Sequence, residues 1–440
     1  MTLPAAAEQL ERRLGPLDAA AIVLSNVIGG GIFFVPVIVA QLVPSPMAMM
    51  SVWMAGGALA FAGAMAYAEL AAVRPHAGGE YVYLRDAFGP LAAFLTGWTS
   101  FIAGFSGAIA ASAVALADYV SRFVPGAAQA KPVVALTAIA ALTLIHVRGL
   151  GPGRLVQNVL AGMKASGIVL FVAIGFAIGH GSAANLVADG HASAIPWFLA
   201  LVPVMFSYSG WNAAAYVAEE VRNPTRNVPL ALGLGTIAVV ALYLGLNAIY
   251  IYAMPTDQIA GLSDGRLMDH VAERLFGTAG GNLLAAFVIV SLAASISAMI
   301  LAGPRVYFAM ARDGVFVRAA GRVHPRFHTP VAAIVAQGIW SSVLVLSGTL
   351  SQLVTYTGFA VVLFAGLAVC ALFVLRRRDP SAARPFSALG YPWAPAIFVI
   401  ASAVMVGNEA WRNPIPTMAG LALIAAGVPV YFAIRRAPRA

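Results

Sequence analysis

The sequence predicts an all-α polytopic membrane protein of twelve transmembrane helices, and three observations carry that prediction. Of 440 residues, 61% are hydrophobic and 10% charged, against about a quarter charged in soluble domains. Apolar windows long enough to cross roughly 30 Å of hydrocarbon recur along the whole chain. The basic residues concentrate in alternate connecting segments, as a topology signal does.

In chain order the spans fall at about 17–42, 47–73, 89–121, 132–148, 156–179, 196–221, 228–253, 280–311, 330–348, 350–376, 391–410 and 414–434. The third and eighth exceed what a perpendicular crossing needs, so they tilt or extend beyond the bilayer. Connecting segments are short except 254–279 and 312–329, and residues 1–440 read as one transmembrane domain. Residues 1–16 carry Glu8, Glu11, Arg12 and Arg13 without an apolar run, which is no signal peptide. Cys370 is the single cysteine, so no intramolecular disulfide forms.

Twenty arginines, among them Arg222, Arg226, Arg305 and Arg312, lie in one set of connecting segments or in the span ends that adjoin it. The opposite set holds five basic residues: Arg122, Lys131, Arg266, Arg274 and Arg412. The positive-inside rule then puts both termini in the cytoplasm. This asymmetry accounts for the net charge of +9 as topology plus attraction to anionic lipid, and removes the case for a nucleic-acid partner.

The first and sixth spans start about 180 residues apart and enter the membrane from opposite sides. The same offset carries Gly29-Gly30-Gly31 onto Ser209-Gly210-Trp211, with Pro36 and Pro203 nearby. Three successive glycines cost a helix roughly 3 kcal/mol relative to alanine, and proline frees a carbonyl one turn back. In lipid such stretches persist only inside protein or beside a wet cavity. Close packing of small residues is the alternative use of these glycines. Matched breaks in inverted halves instead mark a transporter site. Free N–H groups opening the second half of the first span suit a carboxylate, and unwound carbonyls of the other span suit an ammonium.

At these residues the chain resembles the amino acid–polyamine–organocation (APC) superfamily, in particular its L-type amino acid transporter branch. Gly29-Gly30-Gly31-Ile32-Phe33 is similar to that family's Gly-Ser-Gly-Ile-Phe, with Gly30 in place of serine. Tyr67-Ala68-Glu69-Leu70, Gly78-Gly79-Glu80-Tyr81 and Ala87-Phe88-Gly89-Pro90 look like its signature. Phe206 to Asn212, the Glu219-Glu220-Val221-Arg222-Asn223-Pro224 run, Arg384-Pro385-Phe386 and Tyr391-Pro392 follow in family order.

The resemblance implies a five-plus-five inverted repeat with broken first and sixth helices plus two peripheral helices. Residues 17–179 would form the first repeat, 196–376 the second and 391–434 the peripheral pair. It also assigns roles. Amides around Ile28, Gly29, Gly30 and Gly31 would hold the substrate carboxylate, and carbonyls at Phe206, Ser207 and Ser209 its amino group. Phe206 would gate the site, and Asn212 would order the unwound stretch. Lys164 would stand where sodium-coupled relatives bind an ion, contact the broken first span, and make sodium unnecessary.

Lys164 is the one basic residue expected inside a span, about two turns into the fifth. A buried ammonium is a functional hypothesis by default; the bland alternative is snorkelling to the interface. Glu69 and Asp118 sit near span ends as solvated or capping groups. Glu219 and Glu220 close the sixth span, where Arg222 and Arg226 can offset them as a cytoplasmic gate. Ser291, Ser295 and Ser297 more often bond carbonyls of their own helix than a cation. His324 and His328 lack further ligands, so no metal and no cofactor is expected.

The leading expectation is an amino acid transporter working by alternating access, sodium-independent, either an exchanger or coupled to protons. With no acidic residue in mid-span, neutral amino acids come first; a cationic amino acid or polyamine antiporter is the alternative. A non-transporting sensor of the same fold is the different-class option, and no nucleophile–base pair or metal set suggests an enzyme. Residues 122–131 hold no cysteine, so no heavy subunit is disulfide-linked where the resemblance would put one. The expected location is the plasma (inner) membrane.

Overall fold

Proline sets many of the helix starts. Pro16, Pro46, Pro90, Pro224 and Pro414 each open a helix, at the one position where a missing N–H costs nothing and φ is already helical. A computed structural model describes residues 10–124, 126–187, 193–262, 266–347 and 350–436, with side chains of 350–359 left aside. Eight helices in it are long and apolar enough to cross a membrane, and a bent pair makes a ninth. The eight begin with Pro46–Val73 and Pro90–Val120 and end with Trp393–Arg412 and Pro414–Arg436. Shorter apolar helices, Lys131–Val147, Ala194–Tyr208 and Val331–Ser347, lie at the fourth, sixth and ninth expected positions.

The bent pair is Pro16–Val27 and Gly31–Leu42, which meet at 49° across the glycines. Near the other expected break, Ala194–Tyr208 ends, and only a four-residue helix, Ala213–Tyr216, and a 3₁₀ turn, Ala218–Glu220, follow. Both helices expected to be long are long. Pro90–Val120 contains a π-helical turn at Ser100–Gly104, and Leu267–Arg312 runs through a non-helical Gly277.

The elements interlock across the sequence. Pro16–Val27 packs on Pro224–Ala253 and Leu150–Ile178, while Ala194–Tyr208 packs on Pro46–Val73 and Gly31–Leu42. Pro46–Val73 lies along Pro224–Ala253, and Leu267–Arg312 lies against both Phe105–Val120 and Leu150–Ile178. The two breaks therefore sit at the centre of the bundle, with Trp53, Tyr208 and Tyr243 buried beside them.

One connecting segment is more than a connection. Residues 74–88 turn through Gly78 at φ 110° and Gly79 at φ 51°, values that favour glycine, and continue as the helix Glu80–Phe88. A Cβ at Gly79 would meet the Tyr216 ring at 2.7 Å, and one at Gly78 would meet Ala309 at 2.8 Å. The two glycines let this helix tuck its first residue beneath the central breaks.

Candidate functional site

At the first break the helix Pro16–Val27 closes with Ile28 N–H donating to Leu24 and Gly29 N–H to Val27 at 2.8 Å. The N–H groups of Gly30, Gly31 and Ile32 have no acceptor among the described residues. They open the second half-helix, where backbone partial charge is positive. A Cβ added at Gly30 meets nothing within 4 Å, whereas at Gly31 it would lie 2.9 Å from Ser207 Oγ and 3.2 Å from Ser207 Cα.

At the second break Gly210 turns at φ 102° and presses against the first: a Cβ there would meet Asn26 C at 2.9 Å and its carbonyl oxygen at 3.0 Å. Ser209 donates from both N–H and Oγ to the Phe206 carbonyl, while its own carbonyl accepts nothing among the described residues. Tyr243, which sequence reasoning passed over, lies between the breaks. Its hydroxyl is 2.9 Å from the Val27 carbonyl and 3.0 Å from that of Ser207, and Trp53 and Tyr208 hold its ring edge-on and tilted.

Lys164 is fully buried. Its ammonium donates to the Ser25 carbonyl at 3.3 Å, to the Ile28 carbonyl, and to Ser295 Oγ at 2.8 Å. All three of its protons thus have acceptors, two of them carbonyls that the broken helix leaves free. Ser295 Oγ lies 3.2 Å from the Ser291 carbonyl of its own helix, as expected of such a serine, and 2.9 Å from the Ile28 carbonyl. Among the described residues no carboxylate pairs with Lys164.

A cavity of about 160 Å³ adjoins the breaks. Of the residues expected at the substrate, Ser209 and Asn212 are on its wall; Ile28, Gly29, Gly30, Gly31, Phe206 and Ser207 are not. Asn26, Gly210, Tyr216, Thr96, Ser100, Met299, Phe364 and Glu80 also line it. Glu80 puts an acidic group on this wall although no span contributes one to it. It arrives from a connecting segment through the positive-φ turn at Gly78-Gly79, which span hydropathy cannot see. Phe206 is 39% exposed and off this wall.

Glu219 and Glu220 are buried, and the arginines that meet them are not the expected ones. Glu220 takes Arg305 through two hydrogen bonds of 3.0 and 2.9 Å, both side chains at 1% exposure or less. Glu219 takes Arg312 at 3.0 and 3.2 Å and the Ala77 N–H at 3.1 Å. Arg222 and Arg226, two to seven residues away along the chain, stay exposed. Arg305 is accordingly a second buried basic residue besides Lys164. Arg305 is held on its own helix by an Nη1 bond to the Leu301 carbonyl at 2.7 Å, which aims its bidentate fork at Glu220, whereas Arg222 and Arg226 face away from the buried pair. Leu14 closes the same end, pairing its N–H and carbonyl with Glu220 and Arg222 backbone at 2.9 and 2.8 Å.

Other expectations resolve one by one. Glu69 is neither solvated nor a cap: it is buried, forks with Arg376 and accepts the Ala388 N–H at 2.7 Å. Asp118 pairs with Lys131 at a half-exposed surface. Ser297 Oγ is 2.9 Å from His146 Nε2. His328 pairs with Glu11, and no metal-holding cluster occurs among the described residues.

The comparisons with known proteins bear on the whole bundle. A family model described as amino acid permease matches residues 14–429. The serine/threonine exchanger SteT of Bacillus subtilis (strain 168) is 27% identical over 430 residues, 97% of this chain and 98% of that one. The human cystine/glutamate transporter is 29% identical over 434 residues, 96% of this chain and 85% of the relative. The human large neutral amino acids transporter small subunit 2 is 27% identical over 438 residues, 96% and 80% of the two chains. The chain is a multi-pass membrane protein that belongs to the amino acid permease family of the APC superfamily.

Proposed function

We propose that this protein exchanges amino acids across the plasma membrane by alternating access, without sodium, and that its first substrates are neutral amino acids. The observation that carries the reading is the pairing of unlike backbone groups at the bundle centre. Among the described residues the N–H groups of Gly30, Gly31 and Ile32 and the Ser209 carbonyl have no backbone partner, and they belong to two breaks that touch where Gly31 packs on Ser207 and Gly210 on Asn26. Together they complement a carboxylate and an ammonium one carbon apart, which every α-amino acid shares. Lys164 supports sodium independence: a fixed ammonium on the Ser25 and Ile28 carbonyls occupies oxygen ligands that a sodium ion would need.

The fold supports the rest. The first span packs on the seventh as the sixth packs on the second, the exchange of partners that two inverted five-span halves require; we take the spans as twelve and both termini as cytoplasmic. Glu219–Arg312 and Glu220–Arg305 then lie on the inner side as its gate, with Phe206 as the gate on the other side. Cys370 lies within the Leu350–Arg378 helix, so we expect no disulfide-linked heavy subunit.

The test is counterflow. Proteoliposomes preloaded with an unlabelled neutral amino acid should accumulate the labelled one equally with sodium or choline outside. Uptake that needs a sodium gradient would overturn sodium independence. Binding without flux would make the protein a sensor. A thermal-shift series with amino acids and polyamines checks the substrate class, and stabilisation by a polyamine alone would overturn it.

A further inference from the structure

Glu80, partly exposed to the cavity, is unlike the buried glutamates. Glu69, Glu219 and Glu220 each meet an arginine. Glu80 meets none among the described residues: its Oε2 accepts from Tyr67 Oη at 2.8 Å and lies 3.4 Å from Asn212 Nδ2, with the Tyr216 hydroxyl also in reach. The groups that face it are phenols from three elements: Tyr67 from Pro46–Val73, Tyr216 from Ala213–Tyr216 and Tyr83 from its own helix. Leu267–Arg312 and Leu350–Arg378 also pack on that helix. Their nearby basic groups Arg305, Arg312 and Arg376 are already bonded to Glu220, Glu219 and Glu69.

A carboxylate enclosed without a cation is costly, and neutral donors offset only part of that cost. Burial accordingly pushes the Glu80 carboxyl above the ordinary glutamate range, while the two tyrosine hydroxyls pull the other way. Its side chain is nevertheless not sealed. It lines the same cavity as Asn26, Ser209 and Gly210, the residues of the two breaks. Asn212 links it to the second break, with its amide shared between Glu80 and Tyr216 Oη at 3.0 Å.

We propose that Glu80 is a proton-binding site of the transport cavity, taking a proton from cavity water and returning it there, so that amino acid exchange is linked to pH through this carboxyl. The proposal rests on the cavity being the transport path. The proton supplies the positive charge that the surrounding residues withhold, and its loss leaves an uncompensated charge beside the segment that must move. The protonated form is therefore the one that closes around substrate. Exchange falls as pH rises through the raised carboxyl value.

The test compares wild-type protein with Glu80→Gln, a fixed mimic of the protonated form, in counterflow at equal internal and external pH from acid to mildly alkaline. Wild-type exchange should fall along a single-site curve, about tenfold per pH unit on its limb, and Glu80→Gln should be flat. Tyr67→Phe, which removes a donor to the carboxylate, should move the wild-type midpoint to higher pH. If Glu80→Gln does not transport, amino acid binding by calorimetry in two buffers of different ionisation enthalpy gives the same information. Proton uptake should accompany binding in the wild type and vanish in the variant. A wild-type profile retained by Glu80→Gln, or proton uptake that persists in it, overturns the proposal. Counterflow absent at every pH in the wild type would instead overturn the transport reading beneath it.

Discussion

Between Val27 and Gly31 the chain leaves the helix without one positive φ, whereas at the second break it turns on Gly210 at φ 102°. The first interruption is held from outside. Lys164, Ser295 and Tyr243 bond the carbonyls of Ser25, Val27 and Ile28. The second is held largely from within, by Ser209 bonding Phe206 and by a glycine that no other residue replaces without strain. A break made by outside donors keeps its own N–H groups free for a ligand. A break made by a left-handed glycine has a fixed shape and serves as the wall against which the first is placed.

This contrast predicts opposite outcomes for two glycine-to-alanine changes. Gly210→Ala forces a side chain into the left-handed region and within 3.1 Å of three Asn26 atoms. The two penalties together amount to about 2 to 6 kcal/mol, so the variant should show a large fall in thermal stability and no counterflow. Gly30→Ala has helical φ and ψ of −65° and −27° and an empty space for its methyl. Its stability should stay within about 1 kcal/mol of wild type, while substrate affinity falls about tenfold because the methyl lies beside the free amides. Equal damage from both would break the comparison.

Lys164→Met addresses the outside clamp. It removes donors from the Ser25 and Ile28 carbonyls and from Ser295, but it also removes a buried unpaired charge. A buried ammonium without a counter-ion carries a desolvation penalty of several kcal/mol, and relieving it offsets the hydrogen bonds lost. Each charged hydrogen bond lost is worth about 1.5 to 3 kcal/mol. The melting temperature should therefore hold while counterflow falls about tenfold to a hundredfold. A variant that melts much earlier would make Lys164 a structural residue only.

The sequence carried the locations of the breaks and the burial of Lys164, because helix-breaking residues and a lone charge in an apolar run are local signals. It treated the three glycines as equivalent. Only packing separates Gly31, against Ser207, from Gly30, against open space. Partners were least legible. Glu220 and Arg305 are 85 residues apart, and Glu219 and Arg312 are 93 apart, whereas chain proximity pointed to Arg222 and Arg226. Glu80 was visible within Gly78-Gly79-Glu80-Tyr81, but its place on the cavity depends on two positive-φ glycines and on elements more than a hundred residues away. Tyr243 gave no signal, since an aromatic in an apolar helix is usually core.

Tyr243→Phe is the mildest test, and it asks whether the two breaks act together. The hydroxyl alone touches carbonyls from both, at Val27 and at Ser207. Its loss leaves each of these buried oxygens without that donor while Trp53 and Tyr208 keep the ring in place. One shared hydrogen bond in such a setting is worth about 1 to 2 kcal/mol. If the bond only stiffens the resting bundle, stability should drop by that amount with affinity unchanged. If it fixes the spacing between the amides of one break and the Ser209 carbonyl of the other, affinity should fall as well, by about five- to thirtyfold for the same energy. The spacing role is the expected one, because no other single side chain described here bonds to the backbone of both breaks. A drop in stability with an unchanged half-saturation concentration in counterflow would show that the two breaks are held in register by the bundle as a whole.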